Sequence, residues 1–272
     1  MKKWLSLFVF ISIVNFSYAS IDTVAIFSNS MHKQVKLLVI KPDLCAPNQK
    51  FPVVYLLHGY SGNYRSWLKD APALAQKANE FQTILVMPDG GYNSWYLDSP
   101  VDSTYRYETF MIKELVPFID EKFPTINSPF FRAITGLSMG GHGAFYLAIK
   151  HKDVFGEAGS VCGGVDIRPF PNSWDMAKIL GSQASNTANW EKNTVINLVD
   201  SLKNGELQLI FDCGVEDFFL TVNRALHVKL SNNKVAHDYI ERPGTHNAAY
   251  WRNSIDYQLL FFSKCFKNKT EL

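Results

Sequence analysis

Long apolar runs, clustered charge and metal-ligand spacings are all scarce in this chain, and each scarcity removes a class of function. No stretch reaches the roughly 20 consecutive apolar residues that a membrane-spanning helix needs. The most apolar run, from Trp4 to about Phe16, is shorter than that, and no basic stop-transfer cluster follows it. Cysteine occurs only at positions 45, 162, 213 and 265, with neither the close pairs of a zinc site nor the density of a small disulfide framework. There is no zinc-protease signature and no histidine and carboxylate spacing typical of a metal site, so no metal or other cofactor is expected. Lysines and arginines are scattered rather than gathered into a stripe, which argues against nucleic acid and anionic membrane as partners. Internal repeats and low-complexity tracts are also lacking.

What remains is a chain of 272 residues, 47% of them hydrophobic, enough for one large α/β domain. It begins Met1-Lys2-Lys3, continues into the short apolar run, and reaches Ser17-Tyr18-Ala19. A basic start, a short apolar middle and small residues at the cleavage positions form a secretory signal peptide, with cleavage expected after Ala19 and export to the periplasm or beyond. Losing residues 1–19 removes two of the 27 bases and no acid, leaving 25 bases against 25 acids. Residues 20–272 are then expected to form a single domain. Cys162 and Cys213 each end an apolar run that reads as one of two neighbouring strands. Two buried thiols are expected there, with a bridge as the alternative.

Val24 to Phe27 and Val35 to Ile40 read as entry strands at a sheet edge. Val53 to Leu57, stopped by His58-Gly59, and Thr83 to Met87, stopped by Pro88-Asp89-Gly90, are wholly apolar and read as buried parallel strands. Between them Ala71 to Asn79 reads as a helix, with Asp70 as its cap and Pro72 in its first turn. From Thr104 to about Phe123, apolar residues recur every three or four positions, as on one face of a long helix. Strands at 133–136, 158–161, 207–211 and 239–241 then alternate with helices at 140–150, 218–230 and 248–266. Such alternation predicts a mostly parallel sheet wrapped by helices on both faces, with ligands bound beyond the carboxyl ends of the strands. The stretch 163–205, rich in Pro, Asn, Ser and Gly, breaks the pattern and is expected to be a cap over the site.

The chemistry centres on Gly136-Leu137-Ser138-Met139-Gly140-Gly141, between a predicted strand and a predicted helix. A tight strand-to-helix turn lifts a serine hydroxyl above the sheet edge, and flanking glycines avoid a clash within it; this is the nucleophile elbow of the α/β-hydrolase fold. A serine hydroxyl needs a neighbouring base, and the base needs an acid to fix its tautomer. In this fold the order along the chain is serine, acid, histidine. Of the histidines after Ser138, His142 and His151 lie on or just after the elbow helix, His227 lies within a helix, and His237 sits at the start of the last strand. Only His246 follows a strand's carboxyl end. For the acid, Asp212, Glu216 and Asp217 compete: Asp212 is still beside its strand, and Asp217 lies past Gly214, where a loop could carry it over the site. Asp217 is preferred, with Glu216 in reserve. The oxyanion needs two backbone donors, the amide of Met139 and one from the loop 58–62. Tyr60 is the choice there, with Gly59 and Ser61 as alternatives.

These residues, together with Leu56-Leu57-His58-Gly59-Tyr60-Ser61-Gly62, Pro88-Asp89-Gly90, Cys213-Gly214 and Gly244-Thr245-His246, resemble the esterase D family over roughly residues 35–265. That family includes tributyrin-type esterases, S-formylglutathione hydrolases, feruloyl and acetylxylan esterases, and mycobacterial mycolyl transferases. The resemblance implies a triad on Ser138, Asp217 and His246, in agreement with the residue-by-residue reading. Here Asn247, Ala248 and Ala249 intervene between the histidine and the aromatic pair Tyr250-Trp251, a departure that bears on packing beside the base. The function implied is an exported serine carboxylesterase acting on short-chain acyl esters or on acetyl or feruloyl groups linked to carbohydrate. Tyr92, Tyr96 and above all Trp95 and Trp174 would suit stacking on such a substrate. The other readings are an acyltransferase using a sugar hydroxyl, a glutathione thioesterase, which export disfavours, and a carbohydrate-binding relative without turnover.

Overall fold

Runs of β-branched and aliphatic residues too short for helices build the centre of the molecule. In the computed structural model, which describes residues 19–43 and 48–270, they form one eight-stranded sheet in the order β1-β2-β4-β3-β5-β6-β7-β8. The expected signal segment, apart from Ala19, and Cys45 lie outside the described residues. Strands β1 (Ser20–Ser28) and β2 (Lys33–Lys41) form an antiparallel hairpin, and β2 joins β4 (Ile84–Pro88) antiparallel. From there β3 (Val53–Leu57), β5 (Arg132–Gly136), β6 (Glu157–Val161), β7 (Gln208–Gly214) and β8 (Asp238–Arg242) continue in parallel. Every residue of β3, β4, β5 and β6 is buried, as expected for strands covered on both sides. At the rim, β1 alternates exposed and half-buried positions along most of its length.

Helices α1 (Ser66–Asp70) and α2 (Leu74–Phe81) link β3 to β4. The crossover to β5 contains α3 (Tyr107–Thr109), a π-helical stretch (Phe110–Leu115) and α4 (Val116–Lys122). The expected long helix is therefore present from Tyr107, but its middle is wound more loosely. Pro117 explains the change: it has no N–H for the Lys113 carbonyl, and its ring crowds that carbonyl in an α-turn. Helix α5 (Met139–Lys150) follows β5 and is buried along all but its last residue. Between β6 and β7 run the short helices α6 (Met176–Leu180), α7 (Thr187–Lys192) and α8 (Val195–Leu198); α9 (Leu220–Asn232) and α10 (Ala248–Thr270) follow β7 and β8.

Neighbouring residues of β6 show why helices cover both faces. A side chain at Gly159 would meet Gln258 and Phe262 of α10, whereas Gly141 of α5 is pressed against Ser160. Adjacent strand residues point to opposite faces, so α5 and α10 sandwich the sheet. The arrangement is an α/β-hydrolase fold. All the loops that carry the candidate residues leave carboxyl ends of the parallel strands.

A second element also differs from the sequence expectation. Asp70 does not cap a helix; it is the last residue of α1, and α2 starts at Leu74 after Ala73, with no side-chain cap. A five-residue helix is too short to leave a clear periodic signal, and Asp-Ala-Pro mimics a helix start.

Candidate active site

Ser138 stands where β5 turns into α5, with φ 57° and ψ −117°, a backbone conformation that favours glycine. Its amide donates to the Val161 carbonyl at 2.9 Å and its own carbonyl accepts from His142 N–H at 3.1 Å, which fixes the turn. Glycine is required before it: a side-chain carbon at Gly136 would lie 2.5 Å from the Gly140 carbonyl carbon and 2.7 Å from the Leu57 oxygen.

His246, in the loop after β8, lies between Ser138 and Asp217. Its Nδ1 is 2.7 Å from Asp217 Oδ2 and its Nε2 is 2.9 Å from Ser138 Oγ. An ionised carboxylate only accepts, so Nδ1 carries a proton in either charge state, and Nε2 becomes the acceptor facing the serine when the ring is neutral. Asp217 is buried, and its other oxygen accepts from the Phe219 amide at 2.8 Å just before α9 begins. Burial opposes a charged imidazole, but hydrogen bonds to Asp217 and then Cys162 outweigh it and hold His246 above the ordinary histidine range.

The other acids considered from the sequence sit elsewhere. Asp212 is fully buried against Arg242 (3.0 Å), Ser254 (2.6 Å) and Gln258 (3.0 Å), and Glu216 is exposed. The other histidines that follow Ser138 are engaged elsewhere: His142 with the Asn193 carbonyl, His151 with Glu108, and His227 with His237.

Ser138 and His246 open into a cavity of about 340 Å³ lined also by Tyr60, Gly62, Ser66, Asp70, Trp174, Phe218 and Trp251. Trp174 therefore reaches the cavity, with its ring 5.8 Å from Phe218 and nearly parallel to it. Trp95 does not: it is 1% exposed and packs between Trp174 and His142, so it supports the wall rather than forming it. Tyr96 is likewise buried, whereas Tyr92 is 58% exposed and packs on Tyr60. In the loop after β3, the Ser61 amide donates to the Tyr92 carbonyl at 2.7 Å, and the Gly62 amide to the Gly59 carbonyl at 3.1 Å. Tyr60 also ties this loop to the segment after β6, its hydroxyl donating to Asp175 Oδ2 at 3.1 Å.

Two contributors are not evident from the sequence reading. His58 is buried, accepts from the Gly90 amide at Nε2 (2.8 Å) and therefore donates from Nδ1 to the Gly59 carbonyl (2.8 Å). Burial lowers its pKa, so it stays neutral and straps the loops after β3 and β4 together. The second is Cys162, whose Sγ lies within 4.8 Å of ligand-type atoms of both His246 and Asp217. Cys162 and Cys213 are both buried free thiols. Only the His-Gly step after an apolar strand could have flagged His58, and nothing local flags Cys162.

Cys162, Asp217 and His246 place one ligand-type atom each within 4.8 Å of one another. Burial pushes the Cys162 thiol up, which keeps its proton on. The 2.7 Å between His246 Nδ1 and Asp217 Oδ2 is also less than the ~3.3 Å between two ligands of a tetrahedral zinc. The cluster is a hydrogen-bonded His246–Asp217 pair with a protonated thiol beside it, and a poor fit to a metal.

An eight-stranded, mostly parallel sheet with a serine on the turn after β5 defines the chain as an α/β-hydrolase. The sequence matches the family described as "Putative esterase" over residues 28–262, and the chain belongs to that family. An acetyl esterase of Caldicellulosiruptor saccharolyticus is 26% identical over 265 residues, covering 88% of this chain and 96% of the relative. An esterase of Mycobacterium tuberculosis is 28% identical over 235 residues, covering 77% of this chain and 51% of the relative. The chain thus spans about half the length of that relative. Among solved structures, a ferulic acid esterase superposes with a TM-score of 0.79 at 26% identity, covering 92% of this chain and 99% of that one.

Proposed function

We propose that the protein is an exported serine carboxylesterase that cleaves short-chain acyl or carbohydrate-linked esters, such as acetyl or feruloyl esters, through an acyl-serine. The observation that carries this reading is the placement of His246 between Ser138 Oγ at 2.9 Å and Asp217 Oδ2 at 2.7 Å. Ser138 attacks the ester carbonyl while His246 Nε2 takes its proton, and Asp217 holds the ring and its developing charge. The amides of Met139 and Tyr60 receive the oxyanion. The Ser61 alternative is less suited, since its N–H is bound to Tyr92. Collapse expels the alcohol, which takes the proton back from His246; water then enters by the same route and releases the acid.

The named relatives support the class of substrate: one is an acetyl esterase and one a ferulic acid esterase. Trp174, Phe218 and Trp251 around the cavity suit an aromatic or sugar group. In this reading residues 20–272 form one hydrolase domain, with 163–205 as a cap that contributes Trp174. Residues 1–19 act as the export signal, and no helix among the described residues is long and apolar enough to cross a membrane.

The test is hydrolysis of p-nitrophenyl acetate, butyrate and octanoate, methyl ferulate and acetylated xylan by the protein and by Ser138→Ala. A loss of at least about 10³-fold is expected in the variant, together with loss of labelling by an alkyl fluorophosphonate. Equal activity of the two proteins would sink the assignment of Ser138. Adding a sugar acceptor and analysing products separates hydrolysis from acyl transfer.

A further inference from the structure

Not every wall of the cavity beside Ser138 is aromatic. Gly62, Ser66 and Asp70 contribute a polar portion, and Asp70 is the one acid among all the lining residues. The Ser66 hydroxyl accepts from the Asn63 amide at 2.9 Å and so helps to build its own turn. The Asp70 carboxylate has no comparable task. Among the described residues no hydrogen bond or ion pair ends on its oxygens. The cation beside it, Arg252, donates from Nε to the Asp70 backbone carbonyl at 2.8 Å instead. Asp70 caps no helix, and it sits at the C-terminal end of α1, where unpaired carbonyls already make the field negative.

The surroundings also disfavour its charge. Partial burial raises the Asp70 pKa, and the positive charges of Lys69 and then Arg252 offset this only in part. An acid that gains nothing from the fold yet faces a reaction cavity is placed to meet a ligand. A carboxylate can only accept hydrogen bonds. It therefore favours groups that bring donors or positive charge, and it opposes a second carboxylate held nearby.

We propose that Asp70 is a specificity-determining residue of this cavity, favouring esters whose alcohol or acyl part carries hydroxyl or ammonium donors and rejecting those with a carboxylate close to the ester. This rests on the reading of Ser138, His246 and Asp217 as the reacting group. Esters with a carboxylate held next to the scissile bond would then be poor substrates, whereas acylated neutral sugars would not.

Three acetates of matched shape test the idea: phenyl acetate, 3-acetoxybenzoate and 3-acetoxyphenyl-trimethylammonium. The readout is the ratio of kcat/KM for the cationic ester to that for the anionic one, because comparing the ratio between protein and variant cancels their different intrinsic reactivity. The ratio should fall about tenfold in Asp70→Asn and further in Asp70→Lys, and in the unaltered protein it should decline as salt is raised. For glycerol monoacetate, KM should rise in Asp70→Leu by more than it does for phenyl acetate. A ratio unchanged within twofold in both Asp70→Asn and Asp70→Lys, with fluorophosphonate labelling showing each variant folded, overturns the assignment of Asp70. If the unaltered protein hydrolyses none of the esters and takes no label, the reading of the reacting group fails instead, and the Asp70 proposal falls with it.

Discussion

At the scale of single residues, the Asp217 contact determines both the direction of the His246 ring and its affinity for a proton. Replacing Asp217 by Asn should leave the geometry nearly intact but remove the charge that raises the imidazole pKa. The acid limb of the pH profile of kcat/KM should then move to lower pH, while the maximum rate drops by about 10³–10⁴-fold. Stability follows the opposite course. With the folded pKa above 6.5, the charged His246 and Asp217 pair stabilises the fold fully below that value and loses its contribution as pH rises through the folded pKa. In the proposed mechanism activity needs neutral His246, so it should increase over the same interval. Ser138 and His246 are legible in the sequence because glycines, strand ends and chain order each restrict them. Trp95 and Asp70 are not, because whether a tryptophan faces a cavity or its supporting layer, and whether an acid caps a helix, depends on packing remote in sequence. Trp95 is held behind Trp174, 79 positions further along the chain.

Among the elements, the strands are the most legible, since a wholly apolar run of five residues between turn residues has few other uses. Helix interiors are less so. The π-helical stretch before Pro117 preserves the apolar recurrence that reads as an ordinary helix, and α1 is too short to show any recurrence. Glu108 in α3 illustrates what such a segment supports: it accepts from Tyr146 at 2.6 Å, Lys150 at 2.7 Å and His151 at 2.8 Å, tying the crossover to the end of α5. Burial works against its charge, yet the bonds from His151, Lys150 and Tyr146 hold its pKa down to about 2. Since the folded value lies below the ordinary 4.5, this stabilisation is present above about pH 4.5 and is lost as pH falls toward 2. Glu108→Gln should therefore cost roughly 2 kcal/mol at pH 7 and much less at pH 3, as measured by urea unfolding at the two pH values.

Over the whole molecule, the candidate site draws on loops after β3, β5, β7 and β8 and on the segment after β6, so one small group held there touches most of the sheet's carboxyl edge. Covalent phosphonylation of Ser138 should raise Tm by roughly 2–4 °C for each kcal/mol of added constraint. Ser138→Ala should show no such rise, and differential scanning calorimetry distinguishes the two. The layered plan is legible from the alternation of strands and helices, but the path of residues 163–205 is not, because short helices such as α6 and α8 carry almost no periodic signal. The backbone of Ser138, at φ 57°, has a consequence beyond catalysis. Holding a non-glycine residue there costs about 1–3 kcal/mol, so Ser138→Gly should be more stable than Ser138→Ala, and equally inactive. On stability alone glycine would be the better residue at this position, so under the proposed function a serine here is a cost in stability carried for turnover, which the rest of the fold must sustain.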